Sequence, residues 1–293
     1  MTGTSRSSDD DRPAARRGTE TRADADGQET AQTISGYTRD RGTLGVRNRV
    51  LVLPSVICSH AVAERIGEAV DGAQSTPHDH GCGQIGTDRD QTRRTFVGVG
   101  ANPNVAGTVV VGLGCETVQS DDVAAALRAR GVPVRRTTIQ ASGGTQACFD
   151  EGVSAAEELV TRADGQRVEC GLEELTIGVV ASDLRRSSLE RADPLVGAVV
   201  GDLVEAGASA VVAATDRVLP HEDAVRAALE TDDAHEGLNA LVDRARSEPP
   251  RATAARSSAS ALEYEQVATL WDDLPIRDVL RYAEPATHDR GVA

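Results

Sequence analysis

The sequence contains no lysine: all 31 basic residues among its 293 are arginine, and 46 acidic residues bring the formal net charge to −15. Without lysine the chain has no Schiff-base nucleophile and no lysine-containing phosphate loop. A strongly negative surface also opposes binding to phosphate backbones, because proteins bind nucleic acids largely by neutralising phosphates with cations. We therefore expect no nucleic-acid partner.

Aromatic residues and long apolar runs are scarce as well. Only 2 % of the residues are aromatic, and no apolar run approaches the roughly 20 residues that span a bilayer. The polar start of the chain has no apolar signal segment, so we expect a cytoplasmic protein without membrane contact. Excess acid, few aromatics and arginine in place of lysine favour a halophilic protein, whose surface repulsion molar salt screens. A genome of high GC content is the alternative explanation for the missing lysine.

The five cysteines form neither a CxxC pair nor a disulfide-dense pattern, so we expect reduced thiols. Cys148 falls in a predicted helix and Cys170 in a polar loop, and both are expected to be packing residues. Cys58, Cys82 and Cys115 instead lie in loops near the ends of predicted strands, and glycines flank two of them. Their positions make these three thiols the candidate ligands.

The succession of apolar segments predicts the fold class. Short, continuously apolar segments alternate with segments of helical period, which is typical of parallel βαβ units. We predict an α/β protein with a doubly wound, mostly parallel sheet of Rossmann-like units. The predicted strands are 50–53, 108–113, 134–139, 175–181 and 210–214, and the predicted helices are 61–70, 121–130, 146–162, 194–206 and 222–230.

Composition divides the chain into four predicted parts. Residues 1–34 are polar and charged without apolar period, and predict a disordered tail. Residues 35–246 hold the alternating pattern and predict the α/β catalytic-type domain. A Pro-, Ser- and Ala-rich stretch, 247–260, predicts a linker, and residues 261–293 predict a C-terminal segment that carries the only tryptophan.

Side chains suited to catalysis or metal binding gather after predicted strands. In a doubly wound sheet ligands bind outside the carboxyl ends of the strands. Four of these side chains combine sulfur and imidazole donors, a set that suits iron or zinc: Cys58, His78, Cys82 and Cys115. The adjacent Glu116 is a candidate metal ligand or base. The alternative is that each thiol is a small buried hydrophobe, the common role of a free cysteine.

Arginines supply candidate binding groups for an acidic substrate. Arg47 and Asn48 immediately precede the first buried strand, and Arg94 lies in the helix predicted after the His/Cys loop. A guanidinium binds a carboxylate through two parallel hydrogen bonds. In a chain so rich in arginine, a solvated surface position is the alternative for each of them.

Together these motifs resemble the altronate/galactarate dehydratase family, specifically its large catalytic part. The matching stretches are Gly36-Tyr37, Arg41 to Asn48, Leu53 to Cys58, His78 with Gly81 to Gln84, Asn102 to Asn104, Val110 to Glu116, and Ile139-Gln140 with Gly143 to Thr145. The sequence is also similar to the large subunit of sulfolactate sulfo-lyases. It departs from the family at Ala101, where members carry histidine, and at Val180 to Asp183, where members have a Cys-Gly-Gly-Ser segment. After about residue 175 it is shortened and divergent.

The resemblance implies a metal-assisted hydro-lyase that dehydrates a sugar acid, such as an aldonate or aldarate, with Fe²⁺ as the metal and Mn²⁺ as the alternative. It further implies an oligomeric large subunit that works with a separate small substrate-binding partner. The implied roles are catalytic for His78, His80 and Glu116, substrate-binding for Arg47, Asn48, Arg94 and Asn104, and metal-binding for Cys58, His78, Cys82 and Cys115. A sulfo-lyase acting on sulfolactate, a non-catalytic small-molecule-binding paralogue, and an unrelated α/β protein are the alternatives.

Overall fold

A computed structural model describes residues 32–163, 165–181, 183–247, 258–271, 274–282, 284 and 291–293 of the chain. Most of the predicted tail, 1–34, and most of the predicted linker, 247–260, lie outside the described residues. The first strand of the described residues, β1, begins at Thr33, so the last two residues of the predicted tail belong to a strand.

The first sheet has four strands in the order β4-β3-β5-β6, and all of its pairings are parallel. The parallel α/β fold is therefore confirmed. Its strands are β3 (Arg49–Pro54), β4 (Ala73–Ser75), β5 (Val105–Gly112) and β6 (Val134–Thr138). Every residue of β5 is buried, and so is every residue of β3 after the first, because helices cover both faces of this sheet.

Alternate residues of β3 enter two different cores. Val50 and Val52 pack with helices α1 and α4, whereas Leu51 and Leu53 pack with α2 and α3 on the other face. These helices are α1 (His60–Ala69), α2 (Gly86–Gly100), α3 (Ser120–Ala129) and α4 (Thr145–Arg162). Successive side chains of a strand point to opposite faces, so a strand that is apolar throughout requires two covering layers. The first sheet is thus doubly wound.

A small antiparallel sheet, absent from the sequence-based prediction, has the order β2-β1-β7. Its strands are β1 (Thr33–Thr38), β2 (Leu44–Gly45) and β7 (Val168–Gly171). Cys170 therefore lies in a strand opposite Ile34 and not in a loop, as the sequence suggested. The local pattern of β7 is uninformative because two of its four residues are exposed and its partner lies far away in the sequence.

The remaining strands form a second parallel sheet, ordered β10-β9-β8, instead of extending the first one. They are β8 (Thr176–Val180), β9 (Ser209–Ala213) and β10 (Gly291–Val292). The helices of this part are α5 (Asp193–Glu205), α6 (Thr215–Val218), α7 (Glu222–Ala227), α8 (Asp232–Ser247) and α9 (Tyr264–Val267). Trp271 of the C-terminal segment is 4 % exposed within their shared core. The predicted C-terminal segment is therefore part of this second core.

None of the helices in the described residues is both long enough and apolar enough to cross a membrane. The cytoplasmic location stays a prediction.

Candidate functional site

The site lies at the carboxyl edge of the first sheet. A pocket of about 380 Å³ opens there, between the loop that follows β4 and helix α2. Leu53, Phe96 and Val99 supply its apolar lining, and the other lining residues are polar. The polar wall residues include Thr76, His78, His80, Gln84, Asp88, Gln91, Thr92, Thr95 and Tyr282. A concave, partly apolar space with converging polar groups is the usual form of a small-molecule site.

Residues 78–84, called here the histidine loop, are anchored between the ends of β3 and β5. The amide of Ile57 donates to the His80 carbonyl oxygen at 2.9 Å, and the amide of Thr117 donates to the Gly81 carbonyl oxygen at 3.1 Å. Gly81 has φ +97°, and a Cβ there would lie 2.1 Å from the carbonyl oxygen of Ser55. Only glycine allows this close approach, so the loop has a defined position over the sheet edge.

His78 holds this loop through both ring nitrogens. Its Nε2 lies 2.7 Å from the Pro54 carbonyl oxygen and donates to it, and its Nδ1 accepts the His80 amide at 3.1 Å. Burial lowers the pKa of His78, and the nearby His80 and His60 lower this pKa further. The hydrogen bond to Pro54 raises the pKa but does not outweigh them. His78 is thus a neutral, loop-anchoring side chain in this arrangement, with neither nitrogen free to bind a metal.

His80 is the exposed histidine of the pocket wall. Its ring stacks on that of His78 with 6.2 Å between the centroids and an interplanar angle of 10°. Because its partner is held neutral and its own ring faces the pocket, His80 is the better placed of the two for proton transfer.

Glu116 is buried, at 2 % exposure, and ties together the loops around it. It accepts hydrogen bonds from the Ser55 hydroxyl at 2.9 Å, the Gly114 amide at 2.6 Å and the Ser120 amide at 3.4 Å. Burial alone would raise the pKa of Glu116, but the backbone and Ser55 hydrogen bonds outweigh it and lower the pKa. The geometry favours an ionised anchor of the β3 and β5 loops; its proposed role in proton transfer stays a prediction.

The three loop thiols lie at or near the same edge but do not assemble a metal site. Cys58, Cys82 and Cys115 are all exposed. Within the described ranges, no group of three or more His, Cys, Asp or Glu side chains could hold a metal ion. The residues as arranged therefore do not fit the implied iron, which stays a prediction. Cys148, by contrast, is buried among α1 and α4 as expected, and burial raises the pKa of its thiol.

Three of the predicted substrate-binding residues lie at the opposite edge of the first sheet. Arg47 and Asn48 precede β3, and Asn104 precedes β5. The Arg47 amide donates to Asn104 Oδ1 at 2.9 Å, and Arg39 donates to Asn48 Oδ1 at 2.7 Å. The length of β3 separates this group from the thiols by roughly 17 Å. The structure therefore does not bring these residues together with the pocket.

Arg94, the fourth predicted binding residue, is on helix α2, which forms one wall of the pocket. Its Nε is buried and has no hydrogen-bond partner in the part of the chain that the structure describes. The hydrogen bond from Arg281 lowers the pKa of Glu284, and the positive charge of Arg94 lowers it further. Arg94 therefore lies near this glutamate of the C-terminal segment. The residues of α2 that line the pocket are others, so the structure does not place Arg94 in the pocket wall.

Sequence reasoning missed the polar wall that α2 supplies and the contribution of Tyr282. Thr92 and Thr95 are three residues apart, which places them on one face of α2. The spacing can be read from the sequence, but two threonines three residues apart do not by themselves indicate a binding site. Tyr282 reaches the pocket from the C-terminal segment, a contact between elements almost two hundred residues apart that no local pattern indicates.

Fold and site together define a doubly wound α/β protein with a pocket at the carboxyl edge of its first parallel sheet, the edge at which such folds bind ligands. Residues 36–164 match the second domain of D-galactarate dehydratase/altronate hydrolase. Through this domain the chain is related to the altronate/galactarate dehydratase family, and the relationship is partial and divergent, as its motifs predicted.

Individual relatives extend this result. The chain is 33 % identical over 213 residues to (2R)-sulfolactate sulfo-lyase subunit beta of Chromohalobacter salexigens, covering 73 % of this chain and 54 % of that protein. It is 29 % identical over 192 residues to altronate dehydratase of Bacillus subtilis, covering 62 % and 38 %. Altronate dehydratase of Escherichia coli is 33 % identical over 106 residues. The chain thus matches about half or less of the length of these relatives.

Proposed function

We propose that this chain is the catalytic part of a lyase that dehydrates a sugar acid, such as an aldonate or aldarate, and that it acts with a separate small substrate-binding subunit. The supporting observation is the pocket at the carboxyl edge, beside the histidine loop, within the domain that matches the dehydratase family. Its volume of about 380 Å³ lies within the range of small-molecule sites.

Dehydration of a sugar acid removes a weakly acidic proton next to the carboxylate and expels a hydroxide from the neighbouring carbon. In this proposal His80 takes the proton, since it is the exposed imidazole in the pocket wall. Arg94 is the proposed partner of the substrate carboxylate, and this role requires its guanidinium to turn into the pocket, because Arg94 does not line the pocket in this structure. Hydroxyl and amide groups of α2, including Gln91 and Thr95, bind the sugar hydroxyls. No step is assigned to a metal.

The test is a dehydration assay on a panel of aldonates and aldarates, with formation of the 2-keto-3-deoxy acid as readout and with the protein purified anaerobically in high salt. His80→Gln is expected to lower kcat at least 100-fold, the usual contribution of a general base. His235→Gln, on helix α8 of the second core, is the matched control and should keep the parent activity. Equal activity of the two variants would contradict the role of His80.

A sulfo-lyase is the second candidate, because the match to the sulfolactate sulfo-lyase subunit beta extends over more of the chain than either altronate dehydratase match. Here sulfite leaves in place of water, and the same proton removal precedes it. Release of sulfite from sulfolactate, measured beside the dehydration assay, separates the two activities. If neither reaction occurs with the small subunit present while sugar acids bind in a calorimetric titration, the non-catalytic binding function replaces both.

A further inference from the structure

Helix α5 presents a solvent-facing apolar surface on a strongly acidic protein. A π-helical turn, Ser188–Ala192, leads into α5 without a break, so the helical segment runs over residues 188–205. Leu195 is 67 % exposed, Val199 50 % and Val196 38 %. Exposed apolar residues that cluster on one element mark interaction sites more often than scattered ones do.

The two faces of this helix are clearly distinguished. Val200 is 1 % exposed, and a Cβ on Gly197 would lie 2.0 Å from the Thr269 carbonyl oxygen, so this face rests directly on the chain at residues 269–270. At about 100° per residue, Leu195, Ala198 and Asp202 lie on the opposite side of the helix. The apolar surface therefore points away from the core of its own molecule.

Three charged side chains of this outer face oppose the helix dipole, whereas Glu190 and Asp193 in the first turns favour it. Arg191 is exposed in the first turn, and Asp202 and Glu205 are exposed in the last. A cation near the amino end and anions near the carboxyl end are each unfavourable for an isolated helix. Among the described residues, none of the three forms an ion pair within the molecule. Their arrangement does not stabilise the single chain, but it complements an antiparallel copy of the same helix.

We propose that the outer face of α5 binds the same face of a second copy of this chain across a two-fold axis. Ala198 lies midway between Arg191 and Glu205, so an axis beside Ala198 places each Arg191 opposite the Glu205 of the other copy, within one turn of its Asp202. The arginine and the glutamate are about 21 Å apart along one helix. Ala198, the residue at the axis, has a small side chain, so it lets the two helices approach closely.

A two-fold dimer requires a surface that is complementary to itself. The outer face of α5 has this property, because its cation lies at one end and its anions lie at the other. One helix from each copy buries less than the roughly 800 Å² per partner of a standard interface. We therefore expect a dissociation constant in the micromolar range. High salt should strengthen the dimer, because it screens the repulsion between two molecules of net charge −15. This inference does not depend on the proposed catalytic function.

Sedimentation velocity of the full chain in molar KCl, over concentrations from about 1 to 100 μM, measures the association. Val199→Asp is expected to raise the dissociation constant at least tenfold. Ile85→Asp introduces the same charge at an apolar residue that is 82 % exposed at the start of α2, and should leave the association unchanged. A monomer at all concentrations, or equal effects of the two substitutions, overturns the proposal.

A charge exchange tests the antiparallel geometry itself, at moderate salt where ion pairs are not fully screened. Arg191→Glu alone should weaken the dimer at least threefold because it opposes two carboxylates of the second copy. Combining Arg191→Glu with Glu205→Arg restores the complementary order and should restore the parent affinity. Circular dichroism confirms that each variant is folded. Failure of the double variant to recover affinity overturns the antiparallel arrangement.

Discussion

Gly81 and Gly83 lie two residues apart in the histidine loop and have positive φ angles of +97° and +70°. A Cβ on Gly81 would collide with the Ser55 carbonyl oxygen, whereas nothing lies within 4 Å of a Cβ on Gly83. Two different constraints can require a glycine in this loop. Both residues have a left-handed backbone, but only Gly81 also approaches β3 closely.

Gly83→Ala is therefore expected to lower the free energy of unfolding by about 1 kcal/mol, the cost of a left-handed conformation for an L-residue. Gly81→Ala should lower it by at least about 2 kcal/mol, since the loop must also move away from β3. Urea denaturation measures both losses. A similar loss for the two variants would show that the contact with Ser55 carries no constraint.

The thiols of the site edge give a second prediction at this scale. If they bind iron, Cys82→Ser or Cys115→Ser should sharply lower the iron content after anaerobic loading, because a serine hydroxyl rarely replaces a thiolate ligand. Cys148→Ser and Cys170→Ser, at a core position and in β7, serve as controls and should keep the metal.

Elemental analysis of the four folded variants gives the readout. Equal iron in all of them, or none in the parent protein, would remove the thiol-ligand hypothesis. Iron bound by the parent would require the histidine loop or the loop after β5 to rearrange, because both nitrogens of His78 are engaged in the structure described here.

Among the elements, a buried arginine joins three segments at the carboxyl edge of the second sheet. Arg217, on α6, is 3 % exposed. Its Nη1 donates to Asp193 at the start of α5 at 2.5 Å, and its Nη2 donates to the Asp183 carbonyl oxygen after β8 at 2.6 Å. The side chain thus fixes the positions of α5 and α6 relative to the end of β8.

Arg217→Ala should lower the free energy of unfolding by about 3 to 5 kcal/mol, because Asp193 is left buried without its counter-ion. The control is Arg186→Ala, which removes an exposed pair with Glu190 and should cost less than about 0.5 kcal/mol. Comparable losses in urea denaturation would contradict a structural role for the buried pair.

Strands and helices were predicted correctly from the sequence where the segment itself has an apolar run or a helical period. The predicted strand 134–139 and helix 146–162 match β6 and α4 to within one residue. It failed for β1 and β7, which pair with each other in an antiparallel sheet. Such strands are short and half exposed, and their stability comes from a partner distant in the chain, so neither shows a period that identifies it.

For the whole molecule, the net charge of −15 predicts stability that depends on salt. The Debye length falls from about 30 Å at 0.01 M salt to about 3 Å at 1 M, so repulsion between surface carboxylates is largely screened in molar salt. The thermal midpoint should rise between dilute buffer and molar KCl. Repeating the series with a second anion separates screening from specific ion binding, and a flat or falling curve would contradict halophilic adaptation.

The sequence by itself determined the parallel α/β class, the doubly covered β3 and β5, the packing role of Cys148 and the relationship to the dehydratase family. These properties depend on residues close together in the chain: an apolar run, a helical period, or a glycine-rich motif.

Only the tertiary structure decided which of the candidate residues share a site. It placed Arg47, Asn48 and Asn104 at the edge opposite the histidine loop, and it brought Tyr282 to the pocket. Residues that precede parallel strands lie at the amino edge of the sheet, so the position of Arg47, Asn48 and Asn104 follows once the strand boundaries and the parallel pairing are both known. The contact of Tyr282 depends on packing between segments almost two hundred residues apart, which no local pattern records.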